Sequence, residues 1–173
     1  MILKKIMVIG VSAGAGKSTF ARKLSEVLQI DVYHLDTMFW EPGWIEASFE
    51  DFKSRQQKVI INHPQWIMEG NYRNTFDMRV EKADTIIYLE KPLTVCLYRV
   101  IKRWLTNIGK DRPDRAIGCN EKIDMAFIKF ICTTYSQRKK RTRQQLHKLK
   151  STKQVFILTN DKEIEDFLRT IAN

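Results

Sequence analysis

Apolar positions along the chain follow two alternating rhythms. Short apolar runs, mostly without polar alternation, stand at residues 5–9, 31–35, 66–69, 85–89 and 155–158. Such runs suit parallel strands covered on both faces. Between them, apolar residues recur every three to four positions, which predicts helices with one buried face. Phe20, Leu24, Val27 and Leu28 form one stripe, and Phe52, Val59 and Ile60 a second. Val95, Tyr98, Ile101 and Leu105 form a third, with Pro92 near its start. Phe127, Ile131 and Tyr135 form a fourth; Ile164, Phe167, Leu168 and Ile171 close the chain. This βαβα order predicts a doubly wound α/β fold with about five parallel strands in one domain over 1–173.

Two stretches break the rhythm. One is 36–50, aromatic around Glu41-Pro42-Gly43-Trp44; the other is 106–122, with Gly109, Pro113 and Gly118. Both read as loops or small insertions, and long loops in compact domains commonly act as lids.

The first strand-to-helix junction carries the chemistry. Gly14-Ala15-Gly16-Lys17-Ser18-Thr19 follows the apolar run Ile6-Met7-Val8-Ile9 and opens a helix. Strand, glycine loop and helix is the context of a phosphate-binding P-loop. Glycines permit positive φ and close approach, so the loop's N–H groups can wrap a triphosphate. The helix N-terminus adds a positive dipole end. Lys17 is expected on the β- and γ-phosphates of ATP, and the Ser18 hydroxyl on Mg²⁺. The pattern's first glycine falls at Val11, and Gly10 stands one residue early.

Composition narrows the class. A chain of 173 residues, 43% hydrophobic and 29% charged, is long enough for a real core and ordinary for a globular domain. No apolar run approaches the roughly 18 residues that cross a bilayer. Met1-Ile2-Leu3-Lys4-Lys5 resembles the start of a leader, but its apolar continuation is needed as the first strand. Cys96, Cys119 and Cys132 form no CxxC pair, which fits a reducing compartment and a cytoplasmic location. His34, His63 and His147 show no metal-ligand spacing. The net charge is +10. Much of it lies in 138–153, where Arg138, Lys139, Lys140, Arg141, Arg143, Lys148, Lys150 and Lys153 meet no acid. Such a stretch grips polyphosphates or a nucleic-acid backbone, or it is a solvated helix face.

The order of pieces resembles P-loop kinases of the adenylate-kinase and shikimate-kinase type. The likeness rests on the P-loop, on Glu69-Gly70-Asn71-Tyr72-Arg73 after the third strand, and on Arg99 and Arg103 one helical turn apart before the second interruption. Arg138 and Arg141 follow on the next helix. More narrowly, His34-Leu35-Asp36, 66–72 and 99–104 are similar to bacterial proteins labelled DNA topology modulation proteins. The resemblance implies a three-layer P-loop NTPase sandwich with strand order 2-3-1-4-5. It implies an acceptor-binding flap over 36–64, a lid over 104–124, and ATP with Mg²⁺.

Site roles follow from the resemblance and the chemistry together. Gly14, Ala15, Gly16, Lys17, Ser18 and Thr19 would hold the nucleotide, with Arg103 beside them. Arg99, Arg103 and Arg138 would clamp the transferring phosphoryl group, because a guanidinium fork matches phosphate oxygens. Asp36 would contact the acceptor or accept its hydroxyl proton. Glu69 would hold a Mg²⁺-bound water beside Ser18. Trp40, Arg73 and Arg141 would bind the acceptor. Each residue also has a plainer reading. The arginines suit a solvated face, Asp36 a turn cap, Glu69 a structural ion pair, and Phe39, Trp40, Trp44 and Phe49 a small flap core. The function expected is phosphoryl transfer from ATP to a small-molecule acceptor, a nucleotide or nucleoside among the candidates. The alternatives are an ATP-binding, nucleic-acid-associated protein using 138–153, and a nucleotide-dependent switch.

Overall fold

The five apolar runs become one parallel sheet. The computed structural model describes residues 3–106 and 125–172. In chain order its elements begin β1 (Lys5–Gly10), α1 (Lys17–Leu28), β2 (Val32–His34), α2 (Leu35–Phe39), β3 (Trp40–Glu41), β4 (Ile45–Glu46) and α3 (Phe49–Asn62). They continue with β5 (Trp66–Glu69), α4 (Phe76–Lys82), β6 (Thr85–Leu89), α5 (Leu93–Thr106), α6 (Met125–Leu149), β7 (Gln154–Leu158) and α7 (Asp161–Ala172).

The sheet runs β2-β5-β1-β6-β7, every pair parallel. Counted along the chain this is the expected order 2-3-1-4-5. Strands β5 and β6 are buried along their whole length, as a sheet with helices on both faces requires. Ile6, Met7, Ile67, Met68, Ile86 and Ile87 form the fully buried centre. Each such side chain contributes about 1.5–3 kcal/mol through burial. Helices α1 and α7 pack together, with the Phe20 and Phe167 rings 6.2 Å apart.

Two local expectations need correction, and one helix is added. The stretch 36–50 is not a plain loop. It holds the short α2, the antiparallel β3–β4 hairpin and the start of α3, whose Ser48 Oγ caps the Asp51 N–H at 3.0 Å. Helix α4 was unmarked because a two-turn helix is too short for a stripe to repeat. On α5 the stripe points outward: Tyr98, Ile101 and Leu105 are 63%, 43% and 58% exposed, while Cys96 and Val100 are buried. The reason lies under the P-loop. A Cβ on Gly14 would come within 2.2 Å of the Cys96 carbonyl oxygen, so the Cys96 side of α5 must face inward. Of the expected lid, Trp104 to Thr106 end α5, and the remainder of 104–124 lies outside the described residues.

Helix α6 is tied to the end of β6. The Tyr135 hydroxyl donates to the Lys91 carbonyl at 2.8 Å. Arg143 reaches both Glu90 oxygens at 2.7 and 2.8 Å, and Lys139 Nζ lies 3.1 Å from one of them. Burial pushes the Glu90 carboxyl up, but the bonds from Arg143 and Lys139 outweigh it and hold it below the ordinary glutamate range. A depressed carboxyl stabilises the fold above its unfolded pKa and loses that contribution as pH falls through its folded value. The Tm gap between the native chain and Glu90→Gln is therefore expected to be full at pH 7 and to shrink as pH falls below the ordinary glutamate range. A gap that stayed constant as thermal melts were carried into strong acid would refute this.

Candidate active site

The carboxyl ends of β1, β2 and β5 meet at one edge of the sheet, where open α/β sheets place ligands. At β1 the P-loop turns through Gly14 (φ +78°) and Gly16 (φ +93°), both left-handed. Gly16 caps α1 without a side-chain acceptor, so the first-turn N–H groups remain available to an anion. The early glycine has a steric role. A Cβ on Gly10 would lie 2.9 Å from Cγ and Cδ of Lys17, so Gly10 leaves the lysine stem its path. Val11, where the pattern has glycine, donates its N–H to the Leu89 carbonyl at 2.9 Å and is buried.

Strand register gathers the acidic group. Glu69 pairs with Val8 on one side and with His34 on the other. Its carboxylate accepts the Ser18 hydroxyl at 3.1 Å, lies 3.9 Å from Lys17 Nζ and meets His34 Nδ1 at 2.8 Å. Asn71 then locks the two strand ends together. It accepts the Gly10 N–H at 2.9 Å and donates to the Gly10 carbonyl at 2.8 Å. Buried Arg79 holds the same loop from beneath, donating to the carbonyls of Gly70, Tyr72 and Thr75. The Ser18 hydroxyl and Glu69 carboxylate are hard oxygen donors facing the P-loop, the chemistry Mg²⁺ prefers. Among the described residues no cluster of three His, Cys, Asp or Glu could hold a metal.

The neighbouring wall of the site is built around Asp36. The Tyr72 hydroxyl donates to Asp36 Oδ1 at 2.8 Å. Burial, then the Asp36 charge, push the Tyr72 phenol far above the ordinary tyrosine range, so Tyr72 stays a donor. Its ring packs on Phe39 at 4.7 Å and Phe52 at 4.8 Å.

One cleft of about 780 Å³ joins these parts. Gly14, Gly16, Lys17, Ser18, Thr19, Asp36, Trp40, Glu69, Arg99, Arg103 and Arg138 all line it; Ala15 is buried. Arg99 meets the Asp161 carboxylate at 3.2 Å, and Lys91 reaches it at 2.8 Å. The Lys91 bond, with Arg99 adding, holds that carboxyl below the usual aspartate range. The Arg138 guanidinium sits 5.5 Å over the Phe130 ring. Arg73 and Arg141 do not line the cleft; they share a separate depression of about 300 Å³ with Lys148. The basic stretch is partly committed within the chain. Arg138 lines the cleft, Lys139 and Arg143 hold Glu90, and Lys153 donates to the carbonyls of Glu81 and Ala83 at 3.1 and 2.7 Å.

Sequence reasoning missed His34, Asn71 and Arg79. His34 carried a signal in its place at the end of a strand, two residues before Asp36. Asn71 carried one only in its place within the 69–73 motif, and Arg79 carried none, because both act on backbone groups.

Comparison with solved structures shows the fold of P-loop small-molecule kinases over nearly the whole chain. A deoxyadenosine kinase from M. mycoides with bound dATP matches at TM-score 0.54 and 16% identity, covering 97% of this chain and 99% of that one. A gluconokinase from Sinorhizobium meliloti 1021 matches at TM-score 0.57 and 13% identity, covering 98% and 89%. A shikimate kinase from Acinetobacter baumannii in complex with shikimate matches at TM-score 0.52 and 16% identity, covering 98% and 90%. No protein-family model matches the sequence, and no curated protein does. Among the described residues no helix is long and apolar enough to cross a membrane.

Proposed function

We propose that the chain transfers the γ-phosphoryl group of ATP to a hydroxyl group of a small-molecule acceptor. The observation that carries this is the shared cleft: the P-loop with Lys17 and Ser18, the carboxylates Glu69 and Asp36, and Arg99, Arg103 and Arg138 all line it. The solved kinases of the same fold support the reading.

The N–H groups of 14–19 and Lys17 bind the donor's phosphates. Ser18 and Glu69, oriented by His34, would hold Mg²⁺, which neutralises phosphate charge when bound. Asp36 accepts the proton of the attacking hydroxyl, and Tyr72 fixes the carboxylate for that task. The acceptor oxygen forms its bond to the γ-phosphorus as the β–γ bridging bond breaks, and ADP leaves with that electron pair. Arg99, Arg103 and Arg138 stabilise the charge that spreads over the transferring group. The test is Mg²⁺-ATP consumption by the purified chain with nucleosides, nucleoside monophosphates and hydroxy acids as acceptors. Stimulation by one acceptor class establishes the transfer; ATP binding with no stimulation by any refutes it.

The second reading, binding of nucleic acid through 138–153, is favoured by two depressions along α6, one lined by Arg143, His147, Lys148 and Lys150 and the other by Arg73, Arg141 and Lys148 with the single acid Asp77. The likeness of 34–36, 66–72 and 99–104 to DNA topology modulation proteins belongs to this reading. With Arg138, Lys139, Arg143 and Lys153 committed, Lys140, Arg141, Lys148 and Lys150 remain to meet a phosphate backbone. About four phosphate contacts predict a log–log salt slope near −3.6 on duplex DNA. A titration across salt concentrations checks it, and no measurable binding at low salt would end this reading.

A further inference from the structure

We propose that the acceptor is an uncharged, planar, hydroxyl-bearing molecule of the nucleoside class, stacked on Trp44 with Trp40 at its edge, and not a nucleoside monophosphate or a hydroxy acid. This rests on the phosphoryl-transfer reading above and narrows it.

The first observation is the division of the aromatics. Phe39, Phe52 and Tyr72 pack ring to ring at 4.7–5.1 Å, and Phe52 is fully buried. They are the core of the flap. Trp40 and Trp44 are only half-buried, lie 5.2 Å apart at 72°, and line the cleft. Trp40 also meets the Phe39 ring edge-on at 5.0 Å and so joins that core to the cleft, while Trp44 lies beyond it against Trp40.

The second observation is backbone strain. Trp44 sits at φ +67°, directly after Gly43 at φ +82° in the hairpin turn. The left-handed region is rare for a bulky side chain, and glycine would occupy it freely. Nothing lies within 4 Å of a Cβ built on Gly43, so crowding there does not impose the turn. A bulky indole held in that conformation at the mouth of a cleft fits a ligand-contacting role. Indole faces stack on planar bases regardless of their sequence.

The third observation is charge. Beside the indoles stand the Asp36 carboxylate and the Tyr72 hydroxyl. An anionic acceptor would be repelled by Asp36 and would need cations of its own. The two arginines placed by sequence to supply them, Arg73 and Arg141, line a different depression. Of the cleft's cations, Lys17 meets Glu69 and Arg99 meets Asp161, and on the transfer reading Lys17, Arg99, Arg103 and Arg138 serve the transferring phosphates. The acceptor site thus offers flat apolar faces, a hydroxyl and a proton acceptor. That is the complement of a nucleoside's base and sugar hydroxyl, with the proton passing to Asp36 as the new O–P bond forms.

The experiment pairs turnover with binding. Purified chain with Mg²⁺-ATP is supplied with adenosine, guanosine, cytidine and thymidine, with their 5′-monophosphates, and with gluconate. Tryptophan fluorescence is titrated with the same compounds without ATP. At least one nucleoside is expected to stimulate ATP consumption, yield its monophosphate and quench fluorescence, while the anionic compounds do neither. Trp44→Ala is expected to raise that nucleoside's KM about tenfold, the loss of one stacking contact, with Trp44→Phe recovering most of it. Trp44→Gly is expected to raise Tm while weakening binding, which a merely structural Trp44 would not do. Stimulation by a monophosphate or gluconate with nucleosides inert overturns this inference and leaves the transfer reading standing. Nucleoside quenching without transfer supports the acceptor class and overturns the transfer. Silence in both assays overturns both.

Discussion

Lys17→Met is expected to lower kcat/KM for phosphoryl transfer by about 10³-fold while barely moving the melting temperature. Lys17 leaves the first turn of α1 with its stem folded back over Gly10, and its ammonium lies 3.9 Å from Glu69 Oε1 at the head of the cleft. On the proposed transfer reading it is the cation that meets charge on the transferring group. Removing one such preorganised electrostatic partner typically costs a factor of about 10²–10³, and phosphoryl transfer depends on little else. Methionine keeps the apolar stem that packs over Gly10, so the local packing survives. Glu69 keeps His34 and Ser18 as partners. The stability change should stay within about 0.5 kcal/mol, or about 2 °C in Tm for a chain of this size. Steady-state kinetics beside a thermal melt separates the two effects. Retention of more than a tenth of kcat/KM would remove the P-loop from the chemistry.

Arg79→Met is expected to destabilise the fold by about 3 kcal/mol and to impair the site without touching a ligand. Arg79 is fully buried, and among the described residues no carboxylate pairs with it. Burial pushes its guanidinium down to about 10, which still leaves it charged at neutral pH. Its charge is spread over three backbone carbonyls, those of Gly70, Tyr72 and Thr75. Methionine fills similar volume but donates nothing. Each carbonyl left unpaired in the interior costs about 1–3 kcal/mol, partly recovered by relaxation. For a chain of this size that is a fall in Tm of roughly 6–12 °C. Gly70 and Tyr72 flank Asn71, so the lock on Gly10 and the Tyr72 bond to Asp36 should loosen together. Arg79→Lys, with one ammonium for three acceptors, should fall between the two. A Tm change below about 2 °C for Arg79→Met would show that the loop holds itself.

The reading of the P-loop stretch and of the loop after β5 illustrates how far sequence reached. Glycines, lysine and serine at fixed spacing are a local pattern, and the strand before them and the helix after them are local as well. The resemblance put Glu69, Arg99 and Arg103 in one cleft because it supplied an order for the strands. The same spacing rule failed on α5. An apolar stripe at Tyr98, Ile101 and Leu105 reads as a core face, yet the close approach of Cys96 to Gly14 turns that stripe outward. Contacts to backbone groups were illegible throughout. Any residue offers the same carbonyl, so nothing at positions 70, 72 or 75 announces that Arg79 will bind there.

By itself the sequence determined the α/β class, the five strands, the P-loop and the accumulation of basic charge along 138–153. Those properties follow from residue periodicity and from groups a few positions apart, which neighbouring φ and ψ angles alone can place. Only the tertiary structure decided which distant groups meet. Setting β5 between β2 and β1 brings Glu69 against His34 and Ser18, and Asn71 against Gly10. It also separated Arg73 and Arg141 from the cleft and committed Arg143 and Lys139 to Glu90. Strand register and helix packing fix such pairings across 35 to 61 residues of chain. They are set by how the buried faces of whole elements fit together.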